Sequence, residues 1–365
     1  MRNNKVLFIL KDTGNEGSNN SAKLLVDVIN KFCNVPVTIS YLNQAKNLSF
    51  LSRLGKSVYL NHYRVRKKEK IKSLIFTMKS FFSLIIFFSS INKRTVVVNN
   101  AMLIDVILAS VITRHRTFVF FRETHLPKII ILLISFLERN DLVTILSNNS
   151  SVVEKYDNLN VKIVSNVVTT SEDISLVIKN LSSIKILAVG AIYPLKNQLF
   201  LLKLIKSLSL NYDVSLNIYG RVVDSDYFEV LNKYVTDNDL VDNVFFKGEV
   251  ENIKLLELYC THDFFIQSSL SEGMSRSMMD ALLTGVYCIG SSVGDTAVLL
   301  SENRGFLISA TPGDNDVKNI IEHVDYLYKN QYVYNQVRFC SQEFILENYS
   351  IKTVLSQLSQ SGVIQ

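Results

Sequence analysis

Short apolar runs rich in β-branched and aromatic residues recur along the whole chain, and polar or turn-forming residues bound each run. They predict twelve strands in two series. The first series is Val6–Leu10, Val37–Tyr41, Thr95–Val98, Thr117–Phe121, Leu142–Leu146 and Lys162–Val164. The second series is Ile184–Val189, Val214–Tyr219, Val244–Lys247, Phe264–Gln267, Tyr287–Gly290 and Gly305–Ile308.

Segments of helical length and period separate most of these strands. The predicted helices are Ser21–Phe32, Gln198–Leu208, Asp226–Val235, Ile253–Cys260 and Ser275–Thr284. Strands that alternate with helices indicate parallel sheets covered on both faces. Since a dozen strands are too many for one open sheet, the pattern predicts an α/β fold of two Rossmann-like domains facing each other across a cleft.

A polar stretch at residues 166–183 separates the two series of strands. It sets the expected boundary between an N-terminal domain of residues 1–170 and a C-terminal domain of residues 171–345. Ligands of such sheets bind beyond the carboxyl ends of the strands, so we expect the functional residues there.

Composition excludes several classes of protein. The 365 residues are 48% hydrophobic and 20% charged, which excludes a disordered chain. The four cysteines are widely spaced and form no CxxC pair, which excludes a disulfide scaffold or a zinc knuckle. The apolar runs at 6–10 and 80–91 are too short for a signal peptide and a membrane span, so we expect a soluble or peripheral protein.

The net charge of +6 is unevenly distributed. Nine basic residues and one acid between Arg53 and Lys79 give this segment a charge of +8, so the remaining residues carry −2. The Phe-rich apolar run follows it at once. This order suggests attraction to an anionic lipid surface, and the alternative is a solvated basic helix that leads into a core helix.

The segment from Phe264 to Asp295 is the richest in candidate chemistry. A buried strand runs into a Ser-rich loop, and Glu272-Gly273 then precedes a predicted helix that contains a second acid, Asp280. A helix N-terminus presents unpaired N–H donors to a phosphate or a sugar oxygen. The two acids lie eight residues apart and therefore share one helical face. For Glu272 alone, the alternative is a structural contact with the helix N-terminus.

This order of strand, Ser-rich loop, Glu-Gly, helix, Gly285, strand and Val-Gly-Asp loop resembles the retaining GT-B glycosyltransferases of family 4, also described as group 1. Their hallmark is two glutamates separated by seven residues. The resemblance implies that Glu272 contacts the donor sugar and that Asp280, which departs from the second glutamate, contacts the ribose.

The resemblance extends over the C-terminal half. Residues 186–205 resemble the strand, loop and helix of this family in which an arginine and a lysine bind the donor diphosphate. Lys196 matches the lysine of that pair. Ala191 replaces the arginine, for which Arg221 or Arg276 is a candidate substitute. The donor-binding residues implied are Gly190, Lys196, Asn197, Gly220, Arg221, Lys247, Gly248, Glu272, Gly273, Met274, Ser275, Arg276 and Asp280.

The N-terminal half matches more weakly and corresponds to the acceptor side. Its first loop contains Gly14 and Gly17 but lacks the GxGxxG fingerprint. Arg122 and His125 follow a strand at the place where related enzymes carry a histidine facing the donor sugar. The resemblance therefore implies Glu272, His125 and Lys196 as catalytic residues. It also implies that residues 346–365 form a helix returning to the first domain.

The implied function is a retaining glycosyltransferase that needs no metal and no other cofactor. It would transfer a sugar from a nucleotide-sugar, expected to be UDP-linked, to a lipid-linked or cell-surface saccharide in bacterial polysaccharide or lipopolysaccharide assembly. We expect a cytoplasmic protein, peripheral at the inner face of the cell membrane, that contacts anionic lipid and no nucleic acid. The alternatives are a non-catalytic GT-B partner subunit and a nucleotide-sugar epimerase on the same fold.

Overall fold

The computed structural model describes residues 5–12, 17–33, 35, 37–43, 58–59, 81–92, 94–122, 126–168, 174–250 and 252–364. The chain divides into two compact units. Unit 1 comprises Met1–Val167 together with Ile351–Gln365, and unit 2 comprises Val168–Ser350. Within the described ranges, no helix is both long enough and apolar enough to cross a bilayer.

Unit 1 is built on a parallel sheet. Its strands are β1 (Val6–Asp12), β2 (Val37–Asn43), β3 (Val58–Tyr59), β4 (Thr95–Val98), β5 (Arg116–Phe121), β6 (Val143–Ser147) and β7 (Val161–Ile163). They lie in the order β3-β2-β1-β4-β5-β6-β7. The connecting helices are α1 (Gly17–Phe32), α2 (81–90), α3 (Ile104–Ile112), α4 (Lys128–Arg139) and α5 (Ser150–Lys155).

Side chains of unit 1 alternate between two apolar cores, one on each face of the sheet. Leu7 and Ile9 of β1 pack with α2, α3, α4 and α5, whereas Val6 and Phe8 pack on the opposite face with α1. This alternation follows from the two-residue period of a strand. Because both faces are covered, nearly every position of the central strands is apolar, as in Thr95–Val98.

Unit 2 is built on a second parallel sheet. Its strands are β8 (Ile184–Val189), β9 (Val214–Tyr219), β10 (Val244–Gly248), β11 (Phe264–Gln267), β12 (Tyr287–Ser291) and β13 (Phe306–Ile308). They lie in the order β10-β9-β8-β11-β12-β13. The helices are α6 (Gln198–Leu208), α7 (Ser225–Asp237), α8 (Asn252–Thr261), α9 (Arg276–Thr284), α10 (Thr296–Leu300), α11 (Asp314–Lys329) and α12 (Gln331–Tyr349).

The last helix, α13 (Ile351–Ser361), belongs to unit 1. Its Val354 and Leu358 are buried in the same core as Val6 and Phe8, and Gln357 accepts a hydrogen bond from the backbone N–H of Ser165 at 2.8 Å. The returning helix is therefore present, but it begins five residues later than expected. Residues 346–349 continue α12, because Ile345 and Tyr349 are buried in the core of unit 2.

All twelve predicted strands are present, and the fold class is confirmed. The prediction missed β3, which has two residues and pairs with β2 at the edge of the sheet. Two residues are too few to show an alternating pattern.

Candidate active site in unit 2

The order of the strands in unit 2 reverses beside β8. From β8 the chain proceeds outward through β9 and β10, and it then returns to β11 on the other side of β8. At such a switch point the loops after the two adjacent strands diverge and leave a crevice at the carboxyl ends. Lys196 follows β8 and Glu272 follows β11, so the topology brings both residues to this crevice.

The loop after β8 is held by hydrogen bonds from the loop after β11. Pro194–Lys196 form one turn of 3-10 helix, and Asn197 then adopts a left-handed conformation with φ 51° before α6 begins. The Ser268 hydroxyl donates to the carbonyl oxygens of Lys196 at 3.1 Å and Asn197 at 3.0 Å. These bonds fix the backbone from which the Lys196 side chain extends.

Lys196 and Glu272 form an ion pair between Nζ and Oε1. The Ser269 hydroxyl donates to the same Oε1 at 2.8 Å and thereby orients the carboxylate. The two side chains are 24% and 14% exposed, so the pair is partly shielded from water and yet reachable by a ligand. The crevice therefore presents an ammonium group suited to phosphate oxygens next to a carboxylate suited to sugar hydroxyls.

The N-terminus of α9 lies directly after Glu272. Gly273 and Met274 lead to Ser275, which caps the helix by accepting a hydrogen bond from the N–H of Met278 at 3.3 Å. The Ser275 hydroxyl also bonds to Gln267 at the end of β11, so the helix is anchored to the strand that precedes the crevice. The positive end of the helix dipole is thus fixed three to four residues after Glu272.

The loop from Ser291 to Asp295 packs against the backbone of the loop that carries Glu272. Gly294 has φ 53°, and a Cβ at this position would overlap the carbonyl oxygens of Glu272 and Gly273. The N–H of Asp295 donates to the carbonyl oxygen of Gly273 at 3.0 Å. Glycine is required at 294 both for the left-handed backbone and for this close approach.

We predict that Gly294→Ala displaces Glu272 and lowers sugar transfer about tenfold, with a loss of stability of about 1–2 kcal/mol from the left-handed backbone. The matched control is Gly313→Ala, because a Cβ at Gly313 meets no atom within 4 Å and its φ is −139°. Steady-state kinetics and thermal unfolding measure both effects. Equal behaviour of the two variants would contradict the supporting role of Gly294.

Arg276 and Asp280 pair along α9. The Arg276 Nε donates to Asp280 Oδ1 at 2.9 Å, in the i,i+4 geometry of a helix. Burial raises the pKa of the Asp280 carboxyl, and the charge of Arg276 offsets part of that rise. In this structure Asp280 therefore orients Arg276, one of the two arginines that the sequence offers in place of the missing partner at Ala191.

The remaining predicted donor residues follow the neighbouring strands. The N–H of Gly190 donates to Tyr219 at 2.9 Å, and that of Gly220 donates to Gly248 at 2.8 Å. A Cβ at Gly220 would overlap the carbonyl of Gly190, which explains a glycine at the end of β9. Exposed Arg221 follows it, and exposed Lys247 is the penultimate residue of β10, with its Nζ 4.7 Å from the Phe245 ring centroid. All of them lie at the carboxyl edge of the sheet.

The predicted acceptor residues belong to unit 1. Gly14 and His125 lie outside the described residues, and Gly17 begins α1. Arg122 follows β5, and its Nε and Nη2 donate to Asn99 Oδ1 at 3.2 and 2.8 Å. Asn99 follows β4, so this cluster lies at the carboxyl edge of the first sheet. The interaction with Asn99 was not foreseen from the sequence.

Three further residues shape the site although the sequence assigned them no role. Ser268, Ser269 and Gly294 position Lys196 or Glu272 through the contacts described above. Two sequence features could have indicated these residues. The Ser-rich loop precedes Glu272 in the sequence, and the Val-Gly-Asp loop packs against it in the fold. Among the side chains that the structure describes, no group of three His, Cys, Asp or Glu residues could hold a metal ion.

Solved structures show the same two-domain architecture over nearly the whole chain. HepE from Anabaena, in complex with UDP and glucose, has a TM-score of 0.76 and 15% identity, with 98% of each chain covered. The lipopolysaccharide outer core galactosyltransferase WaaB, in its apo form, has a TM-score of 0.74 and 14% identity, again with 98% of each chain covered. At these identities the likeness establishes the fold, which is that of the GT-B glycosyltransferases.

The family described as "Glycosyl transferases group 1" matches residues 171–342. These residues include the whole of the candidate site in unit 2. The second half of the chain therefore carries a glycosyl transferases group 1 domain, and the chain as a whole has the GT-B fold.

Two curated proteins are similar in sequence to this chain over a limited region. One is the UDP-Gal:alpha-D-GlcNAc-diphosphoundecaprenol alpha-1,3-galactosyltransferase of Escherichia coli, 27% identical over 139 residues, which are 38% of this chain and 35% of the relative. The other is Protein CapJ of Staphylococcus aureus, 25% identical over 145 residues, which are 40% of this chain and 30% of the relative. The matched regions thus span about a third of the length of these relatives.

Proposed function

We propose that the protein is a retaining, metal-independent glycosyltransferase that moves a sugar from a UDP-linked donor to a lipid-linked or cell-surface saccharide. The observation that carries this proposal is the Lys196–Glu272 pair at the strand switch point of the group 1 domain. An ammonium group and a carboxylate in contact match the two halves of a nucleotide-sugar, the diphosphate and the sugar hydroxyls.

The pair also determines the orientation of the donor in the crevice. A diphosphate bound at Lys196 Nζ has its attached sugar one phosphoester linkage away, which is where the Glu272 carboxylate accepts hydrogen bonds from hydroxyl groups. The N-terminus of α9 and the guanidinium of Arg276 lie beside the same loop and contribute positive potential. Lys196 and this helix end then stabilise the negative charge that develops on the leaving diphosphate.

The proposed reaction needs no dedicated protein base. The bond between the anomeric carbon and the diphosphate oxygen breaks, and the acceptor hydroxyl oxygen bonds to the anomeric carbon from the same face. The acceptor proton passes to an oxygen of the departing diphosphate. Glu272 orients the sugar during this step, and its negative charge favours the oxocarbenium-like transition state.

The proposed acceptor is attached to a lipid diphosphate at the inner face of the bacterial cell membrane. Support comes from the Escherichia coli relative, whose name specifies an acceptor linked to diphosphoundecaprenol, and from the WaaB fold neighbour, named for the lipopolysaccharide outer core. The +8 segment Arg53–Lys79 supports a place at an anionic surface, although apart from residues 58–59 it lies outside the described residues.

We predict that UDP raises the melting temperature, and that a UDP-sugar is consumed only when a polyprenyl-diphosphate-linked saccharide is added. A panel of UDP-sugars in a thermal-shift assay identifies the donor, and release of UDP then measures transfer. Addition of EDTA should leave the rate unchanged. Conversion of the donor without acceptor would instead favour an epimerase, and binding without any consumption would favour a non-catalytic subunit.

A further inference from the structure

The outer face of α4 is apolar and exposed. Ile129, Leu132 and Phe136 recur at positions i, i+3 and i+7 and therefore form one stripe along the helix. The opposite side buries Ile134 and Leu137 in the core of unit 1. From Ile129 to Leu137 the helix contains no charged residue. Isolated exposed apolar residues are ordinary, but an uncharged stripe of large side chains indicates an interaction surface.

The outer face of α2 has the same character. Phe82 and Ile86 are exposed one turn apart, whereas Leu84 and Phe88 point to the core. Residues 81–90 contain no charge. The helices α2, α3 and α4 all cover the same face of the sheet, since their buried side chains share one core. The five exposed apolar side chains of α2 and α4 are 57% to 76% exposed, and Ile112 at the end of α3 is 57% exposed.

Basic residues flank this uncharged surface. Lys128 and Arg139 lie at the two ends of α4 and are eleven residues apart, which places them on the same side of the helix, next to the stripe. Glu138 follows Phe136 by two residues and so points away from the stripe. In the sequence, Lys79 precedes Phe81 by two residues.

We propose that the apolar outer faces of α2 and α4, hereafter the apolar face, insert into the interface of an anionic phospholipid bilayer. The lipid-linked acceptor of the proposed function is the reason for such contact, so the inference rests on that function. Large apolar side chains enter the acyl boundary, while long basic side chains at the helix ends reach the headgroups. The arrangement is that of a surface-bound helix layer, which lies on the membrane without crossing it.

Charge decides between a bilayer and a second copy of the chain. A symmetric dimer formed through the apolar face would bring the same basic flanks of two copies together. Anionic headgroups instead complement Lys128, Arg139 and the basic segment that leads into α2. The apolar face therefore suits a lipid surface better than its own copy.

The chain contains no tryptophan, so one introduced tryptophan reports its own surroundings. Phe136→Trp places the probe in the stripe of α4, and Phe339→Trp places a matched probe on the exposed side of α12 in unit 2. With vesicles of phosphatidylglycerol and phosphatidylcholine, we expect a blue shift and quenching by brominated acyl chains only for Phe136→Trp. The extent of binding should fall as salt rises, but the spectrum of the bound fraction should not change.

A second set of variants tests the energetic role. Ile129→Ser, Leu132→Ser and Phe136→Ser together should lower the partition coefficient onto these vesicles by about tenfold or more, because three large apolar side chains are lost. The matched control replaces Leu210, Phe339 and Leu346, three exposed apolar residues of unit 2, by serine. The control should bind vesicles as the wild type does, and both triple variants should keep the thermal shift produced by UDP.

The outcomes separate this inference from the proposed function. An unchanged Phe136→Trp spectrum with anionic vesicles at low salt, or equal vesicle binding by both triple variants, overturns the assignment. A blue shift that grows with protein concentration without lipid, together with a dimeric mass, also overturns it in favour of a second copy. Continued transfer to a saccharide linked to a short, water-soluble polyprenyl diphosphate would then show that the function stands. Vesicle binding without any sugar transfer would show that the membrane assignment stands and that the proposed function fails.

Discussion

Glu272→Ala should lower the rate of sugar transfer by about a thousandfold, the size of effect expected when a group that stabilises the transition state is removed. Its carboxylate is bonded to Lys196 and Ser269 in the crevice, so the substitution also releases the ammonium group of Lys196. We therefore expect the affinity for UDP alone to be unchanged or higher. The affinity for the UDP-sugar should fall, because the contact between Glu272 and the sugar hydroxyls is lost.

Calorimetric titration with UDP and with the UDP-sugar, combined with single-turnover transfer, measures these three quantities. Glu229→Ala is the matched control, because Glu229 is an exposed acid on α7, away from the crevice. Both variants should melt within a few degrees of the wild type. Full activity of Glu272→Ala would remove the basis of the site assignment.

Lys196→Ala should weaken the binding of UDP at least about tenfold, which corresponds to the lower end of a charge-assisted contact. The loss has two causes. The ammonium group that faces the diphosphate is gone, and the Glu272 carboxylate, no longer neutralised, repels the phosphate charge.

The control for this prediction is Lys203→Ala. Lys203 is also paired with an acid, Asp314 at 3.8 Å, but it lies on the exposed side of α6. Calorimetry should show wild-type affinity for UDP in the control. If Lys196→Ala also binds UDP normally, the diphosphate contact belongs to Arg221 or Arg276, and the same titration on Arg276→Ala decides between them.

The strands of unit 2 were predictable almost to the residue because both faces of a parallel sheet are covered. Ile184–Val189 and Phe264–Gln267 are nearly continuous apolar runs, whereas Val214–Tyr219 alternates apolar and polar residues, and each of the three strands is followed by glycine or serine. The end of α12 was not predictable in this way. Residues on both sides of Ser350 are helical, and only tertiary packing separates Tyr349 in unit 2 from Val354 in unit 1.

The sequence predicts members of a candidate site but not the contacts between them. Lys196 and Glu272 were identified by resemblance, yet they are 76 positions apart, and nothing in the sequence shows that they pair directly. Ser268 and Ser269 were seen only as a polar loop, since a hydroxyl group acquires its role from the partner that folding brings near. The exposed stripe of α4 was not predictable, because KIIILLISFLER has the composition of a buried core helix.

The return of α13 to unit 1 makes unit 2 an insertion within the other unit. Val354 and Leu358 complete an apolar core that begins with Val6 and Phe8, and all of unit 2 lies between them in the chain. During vectorial synthesis, unit 2 leaves the ribosome whole and can fold at once, whereas unit 1 has to wait for its final helix. A fragment ending at Val167 would keep that face of its sheet partly uncovered, so truncation between the units should yield an insoluble N-terminal piece beside a soluble C-terminal one.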